Sequence, residues 1–313
     1  MLMNIKCLDT HPDIDRLADV KLTEMGNIFK VQFMTRSNHS QTIQMLKGGK
    51  QFMKLSTGEI MDCKKHDSRC QSYKNLSRTF SNIRDIINTN ITDVENVRFV
   101  TLTYAENMTD TVRLYKDADK YHKRLKYQFE KSGYPHFEFI SIAEPQGRGA
   151  WHLHELYIFD SKAPFIPNAD IANIWGHGYT KTKKIDSVDN VGAYLTAYLT
   201  DLPLDECDEF DLFIANASDI KTIDDIDEVG NRIPKRVVKG ARLKLYPPKF
   251  NILRHSRGIK TPESITMHKE DADEITKSMC LTFEKTFEIK DDETDFRTVI
   301  NTKYYNKVRR YDR

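Results

Sequence analysis

Two histidines separated by one residue, in WHLHELYIF (Trp151 to Phe159), are the first side chains in this sequence whose type and spacing can do chemistry. On a β-strand, residues two apart project from the same face, so His152 and His154 stand side by side while Leu153 points into the opposite layer. Two imidazoles on one face can chelate a cation, although strand histidines are more often exposed or hydrogen-bonded. Glu144 sharpens the pattern. It closes the preceding predicted strand, HFEFISIAE, and the PQGRGA turn would bring its carboxylate beside the pair. The result is a two-imidazole, one-carboxylate site with open positions for water or phosphate. Alone, Glu144 reads equally well as a surface acid at a strand end. A second constellation lies in VGAYLTAYLT, where Tyr194 and Tyr198 are one helical turn apart, about 6 Å along the axis, and share a face. A phenol can attack a phosphodiester when a cation withdraws charge from the phosphate, leaving an enzyme-linked 5′ phosphate and a free 3′ hydroxyl. The competing reading is packing, because Val191, Tyr194, Leu195, Tyr198 and Leu199 also form an apolar helical stripe.

These groups must be held by regular elements, and the local patterns supply them. VRFVTLTY (Val97 to Tyr104) reads as a buried strand. From Asp110 to Lys131, apolar Leu114, Ala118, Tyr121, Leu125 and Phe129 recur at steps of four and three, predicting an amphipathic helix that Gly133 and Pro135 stop. Two strands joined by a tight turn follow, His136 to Glu144 and Trp151 to Phe159, and they should pair antiparallel. Asn168 to Trp175 is a short helix, GHGYTKTKKID a turn and strand, and Asp189 to Thr200 a further helix. The succession β, α, β, β, α, β, α predicts an α+β fold: a small, mostly antiparallel sheet with helices on one face, close to a ferredoxin-like or split βαβ arrangement. Upstream, SRTFSNIRDIIN (Ser77 to Asn88) has helical spacing, but the role of residues 1 to 95 is not legible.

Composition narrows the class. A chain of 313 residues, 39% hydrophobic and 30% charged, can bury a sizeable core. It contains no run of about 18 apolar residues, and MLMNIKCLDTHPDIDRL lacks the basic, apolar and small-residue zones of a secretory signal, so a cytoplasmic protein with no membrane partner is expected. Five scattered cysteines do not form a disulfide framework, and CKKHDSRC (Cys63, His66, Cys70) has the wrong spacing for a zinc knuckle. The net charge of +2 hides a separation: Asp201 to Glu228 holds eleven acids and one lysine, while Arg232 to Lys260 holds ten Lys/Arg and no acid. In the basic stretch Tyr246, Phe250 and His255 alternate with cations, a mixture that suits phosphate contact plus base stacking. Lys235, Arg236, Lys239, Arg242, Lys244, Arg254 and Arg257 are its candidate DNA contacts. The expected segments are residues 1–95, of unknown role; 96–203, the core; 204–230, an acidic linker or insertion; and 231–313, a basic DNA-contacting region.

Taken together, FVTLTY, EPQGRGAWHLH and VGAYLTAYLT resemble the HUH endonucleases, and within them the rolling-circle replication initiators of plasmids and phages. IWGHGYTK and HSRGIKTP add to the likeness, which spans Val97 to Pro262 in the family's order. The resemblance implies that His152, His154 and Glu144 bind Mg²⁺ or Mn²⁺ and that Tyr194 or Tyr198 is the nucleophile, the two acting in relay in some initiators. It implies single-stranded DNA at an origin as substrate, a host polymerase that extends the 3′ hydroxyl, and His177 of WGHG as a possible fourth ligand. It departs in one respect: the lysine that usually follows each tyrosine by three residues is replaced by Ala197 and Asp201, so which tyrosine acts stays open, and Lys181, Lys183 or Lys184 is a candidate substitute. No G-x-x-x-x-G-K-[ST] loop is present, so unwinding would need a separate helicase. A relaxase, a single-strand transposase and a DNA-binding regulator without nicking are the alternatives.

Overall fold

The computed structural model describes residues 3–36, 43–63, 73–185, 190–203, 220–226, 232–238, 241–291 and 296–309. The chain opens with six strands, β1 (Met3–Leu8), β2 (Asp19–Met25), β3 (Ile28–Met34), β4 (Ile43–Met45), β5 (Gln51–Lys54) and β6 (Ile60–Asp62). Then follow α1 (Tyr73–Asn90), β7 (Val97–Thr103), α2 (Thr111–Lys131), β8 (Phe137–Pro145), β9 (Trp151–Phe159), α3 (Asn168–Trp175), β10 (Thr180–Lys183) and α4 (Val191–Thr200). The remainder is β11 (Leu202–Pro203), β12 (Ile220–Ile226), β13 (Arg232–Val238), a 3₁₀ turn (Ala241–Leu245), β14 (Leu253–His255), β15 (Glu263–His268), α5 (Lys269–Thr276), β16 (Cys280–Asp291) and β17 (Phe296–Asn306).

Two compact units result, and they are not the expected segments. Met1–His66 and Pro262–Arg313 form one, and Asp67–Thr261 the other. In the first, both chain ends interleave in one antiparallel sheet of order β1-β16-β17-β3-β2-β15, with Val20, Leu22, Phe29 and Val31 packed on Ala272 of α5. Its tightest turn joins β2 to β3, where Met25 pairs with Ile28 and Gly26 takes φ of 61°, the left-handed region a two-residue hairpin needs. Strands β4 to β6 make a small separate sheet.

The second unit is the α+β fold the local patterns predict. Its sheet has the order β10-β7-β9-β8-β14, and every neighbouring pair is antiparallel. Asp110 caps α2 by accepting from the amides of Val112 and Arg113, and Gly133, at φ of 68°, follows its end. Leu114, Ala118, Tyr121, Leu125 and Phe129 form the buried stripe of α2. This helix covers the face of β9 that carries Glu155 and Tyr157. His122 contacts Glu155 at 2.9 Å, Ser141 donates to the same carboxylate at 2.6 Å, and the Tyr121 and Tyr157 hydroxyls meet beneath. Trp175 of α3 lies on the same side, its ring 5.6 Å from that of Tyr121 and its indole N–H bonded to the Thr103 carbonyl at 3.0 Å.

α1 and α4 pack against each other, and their buried residues join the apolar cluster of the sheet. Their approach is close because Gly192 has no side chain: its amide donates to Asn88 Oδ1 at 2.9 Å, and a Cβ there would lie 2.4 Å from the Arg84 carbonyl oxygen. The charge blocks of the sequence also find a local explanation. The described part of the acidic segment, β12, pairs along its length with β13 at the start of the basic stretch, from Ile220↔Val238 to Ile226↔Arg232. Strand β14, from the same stretch, adds the fifth strand of the core sheet through Leu253↔Ile142, so residues up to Thr261 belong to the core unit.

Gly192→Ala should lower stability by about 1–3 kcal/mol, since the added methyl must push α4 off the backbone of α1; denaturant unfolding monitored by circular dichroism checks this. An unchanged midpoint would mean that the helices can separate without cost.

Candidate active site

The histidine pair sits where strand pairing puts it. Across three strands, Thr103, His152 and Glu144 are directly opposite one another, and the next same-face row is Thr101, His154 and Ile142. All six share the sheet face away from α2, because Leu153, Ala143 and Leu102 occupy the alternate positions. Glu144 is buried and bonds to Nε2 of His154. The His154 ring is held from two further sides, stacking on Phe99 at 5.5 Å between centroids and approaching Thr101 Oγ1 through Nδ1 at 3.3 Å. His152 is different. Its ring centre lies 6.4 Å from that of His154, and its buried Nε2 has no hydrogen-bond partner among the described residues.

Arg242 completes the cluster. One guanidinium nitrogen lies 2.6 Å from Glu144 Oε1 and donates to the Pro145 carbonyl at 2.7 Å, while its Nε donates to the Asp201 carbonyl at 3.1 Å. Asp201 is the residue after α4, so one buried side chain ties the end of the tyrosine helix to the carboxylate at the end of β8. Tyr246 strengthens the tie by donating to the Leu199 carbonyl at 3.2 Å. This is a correction to the expected surface role of Arg242, which is only 5% exposed and turned inward. Nothing local distinguishes it from the other nine cations of its stretch; only the tertiary contact does.

Among the remaining candidates, Arg236 and Arg257 are exposed, Lys244 is half-buried, and Arg254 bonds to Asp119 of α2 at 2.6 Å with its guanidinium over the Tyr115 ring. Lys239 and the side chain of Lys235 lie outside the described residues. So do His66 and Cys70 of the CKKHDSRC segment. Tyr194 and Tyr198 lie on α4, whose Val191, Leu195 and Leu199 are buried; the two phenol side chains are outside the described part. His177 does not join the pair. It faces Asp117 of α2 at 3.7 Å and lies beside the Tyr104 and Trp175 rings, on the other side of the sheet. Gly178 lets this turn run tightly along β7, since a Cβ there would meet the Ala105 nitrogen at 2.4 Å. Of the three lysines weighed as substitutes, Lys184 is engaged with Glu95 at 2.5 Å.

The electrostatics follow from this packing. Burial opposes ionisation of Glu144, but His154 and Arg242 outweigh it and hold the carboxyl down at about 2. Burial, with His154 and Arg242 nearby, lowers His152 to about 4, so its imidazole is neutral at pH 7 and keeps a lone pair free. Among the described residues no three His, Cys, Asp or Glu side chains converge as a finished metal cage, Glu144 being shared between His154 and Arg242. The donor types nonetheless fit a small divalent cation. One ionised carboxylate, one neutral imidazole with an unpartnered nitrogen and a second imidazole two residues away suit Mn²⁺, and Mg²⁺ less well, because nitrogen donors favour the transition metal.

The depressed His152 value makes stability sensitive to acid. The unfolded imidazole binds a proton near 6.5 and the folded one only near 4, so acidification across that window favours unfolding by up to about 3 kcal/mol. Glu144 contributes a further loss below 4.5, as pH falls toward its folded value of about 2. Urea unfolding in EDTA from pH 7 to 4.5 should show the first slope in the native chain and a flatter one in His152→Gln. Arg242→Met, which leaves the Glu144 carboxylate without its buried guanidinium, should cost about 3–5 kcal/mol at pH 7 by the same measurement.

Comparison with protein families places this geometry. Neither the curated proteins nor the solved structures contain a match. The family model of the replication-associated protein ORF2 matches residues 97–202, about a third of the chain. The matched segment begins at β7, contains Glu144, His152 and His154, and ends just past Tyr194, Tyr198 and α4. Residues 97–202 of this chain are thus a domain of the replication-associated protein ORF2 family.

Proposed function

We propose that the chain is a rolling-circle replication initiator that nicks single-stranded DNA at an origin and later rejoins the strands. One observation carries the reading: the guanidinium that pairs with Glu144, beside His154 and opposite His152, also holds the end of the helix bearing Tyr194 and Tyr198. A carboxylate, two imidazoles and a tyrosine helix are thereby tied to one strand end of a replication-family domain.

In this reading Glu144, His152 and His154 would hold Mn²⁺ or Mg²⁺, which when bound supplies charge withdrawal from a phosphodiester. The protein does the rest. The phenol oxygen of Tyr194 or Tyr198 forms a bond to phosphorus, the bond from phosphorus to the 3′ oxygen breaks, and that oxygen leaves as a hydroxyl after taking up a proton. The 5′ phosphate remains esterified to the tyrosine, so the reverse attack by a 3′ hydroxyl restores the strand and the phenol. Neutral His152 and His154 present lone pairs rather than protons to the site. Burial of Glu144 and Arg242 keeps the constellation rigid between the two attacks. The exposed 3′ hydroxyl would prime a host polymerase, with unwinding by a separate helicase. A relaxase or single-strand transposase would use the same chemistry on another DNA. The presence of Ala197 and Asp201 three residues after the tyrosines favours one second reading, a DNA-binding regulator that does not cleave.

Incubation with labelled single-stranded oligonucleotides spanning the parent element, in Mn²⁺, should yield a protein–DNA adduct that survives denaturing electrophoresis. His152→Ala should abolish it, as should Tyr194→Phe or Tyr198→Phe, whichever residue attacks first. Absence of any adduct across the whole set, with retained binding, would establish the regulator instead.

A further inference from the structure

The edge strand β10 lies at the end of the core sheet, next to β7, and presents a feature that the nicking chemistry does not use. Its alternation is settled by contacts. Thr180 and Thr182 both donate to Oδ1 of Asn168, at 3.0 and 3.3 Å, so they point toward α3. That is the α2 side, since Trp175 of α3 packs on Tyr121 of α2. Tyr179 and Lys181 therefore project from the opposite face, which is the histidine face. Register gives the same answer: Lys181, Thr101 and His154 are opposite one another on β10, β7 and β9, and the Thr103 amide bonds to the Tyr179 carbonyl at 2.8 Å, one same-face row from Lys181. At about 4.8 Å per strand, Lys181 stands roughly 10 Å from His154 across the sheet.

Both side chains face solvent. Tyr179 is 74% exposed, unusual for a tyrosine that begins a strand, and Lys181 is exposed as well. The strand TKTK contains no acid to neutralise the cation. An open aromatic face and a lysine two residues apart on an edge strand match the two things a single strand of nucleic acid offers at each step, a base to stack and a phosphate to pair. We infer that Tyr179 and Lys181 form a nucleotide subsite beside the histidine cluster, Tyr179 stacking a base and Lys181 contacting the phosphate of the strand that enters the site. The inference rests on the nickase reading for its substrate. It adds what that reading leaves out, the residues that position the DNA next to the scissile phosphate. It also assigns the face on which the missing tyrosine-helix lysines find a cationic substitute.

The test is fluorescence anisotropy with the full chain in EDTA, using a labelled oligothymidylate and a strand of equal length that lacks bases. Tyr179→Ala should weaken binding of oligothymidylate about 5- to 100-fold and leave the base-free strand unaffected, with Tyr179→Phe restoring affinity. Lys181→Gln should weaken both strands alike and reduce the salt slope by about 0.7, the value of one phosphate contact on a single strand. Tyr127→Ala, an exposed tyrosine on α2 across the sheet, serves as the control and should bind as the native chain does. Equal affinity of native, Tyr179→Ala and Lys181→Gln proteins would overturn the subsite, as would an equal loss on both strands for Tyr179→Ala. The adduct assay separates the two ideas. A native chain that forms the adduct while both variants bind normally defeats only the subsite. A chain that binds with the predicted Tyr179 dependence and forms no adduct defeats only the nickase. Failure of the native chain to bind either strand defeats both.

Discussion

A single buried guanidinium holds together what the strands and helices bring near. Arg242 touches the Glu144 carboxylate, the Pro145 carbonyl beside it and the Asp201 carbonyl at the end of α4. A buried arginine is tolerated only when its donors are matched, and here an ionised partner and two backbone oxygens match them. Without this contact the sheet would still form, because its pairing is a backbone matter. The end of α4 would then be free to move relative to β8, and the carboxylate would lose the charge that keeps it ionised.

The site also shows how a sheet divides its labour between faces. On the α2 side, Glu155 is fully buried but satisfied by His122 and Ser141, and the Tyr121 and Tyr157 hydroxyls pair with each other. Those polar groups are closed among themselves and act as structure. On the other side, His152 retains a nitrogen with no partner among the described residues, and burial keeps that nitrogen unprotonated. The same chemistry of histidine and carboxylate thus serves packing on one face and remains available for a ligand on the other. His177 follows the first pattern, with Asp117 as its partner.

The charge pattern has a parallel resolution. Eleven acids followed by ten cations look, along the chain, like a linker and a nucleic-acid arm. In three dimensions β12 and β13 pair, Arg242 goes inside, and Arg254 is taken up by Asp119. Part of the basic surplus is therefore structural, and the cations left on the surface include Arg236, Arg257 and, from a different part of the chain, Lys181.

By itself the sequence determined the elements around the site. The buried stripe of α2, the β8–β9 pair with its Gly-containing turn, the short α3 and the tyrosine helix were all legible, because period and turn chemistry are properties of neighbouring residues. The adjacency of Glu144 to His152 followed too, since one tight turn sets the register of a hairpin. Only the tertiary structure decided the rest. The joining of residues 1–66 to 262–313 depends on β1 pairing with β16 and β3 with β17, nearly the whole chain apart, which no local pattern encodes. The inward turn of Arg242, the capture of His177 by α2 and the outward face of Tyr179 and Lys181 depend on which surfaces meet. Local spacing selects the face of an element, and packing alone selects what that face encounters.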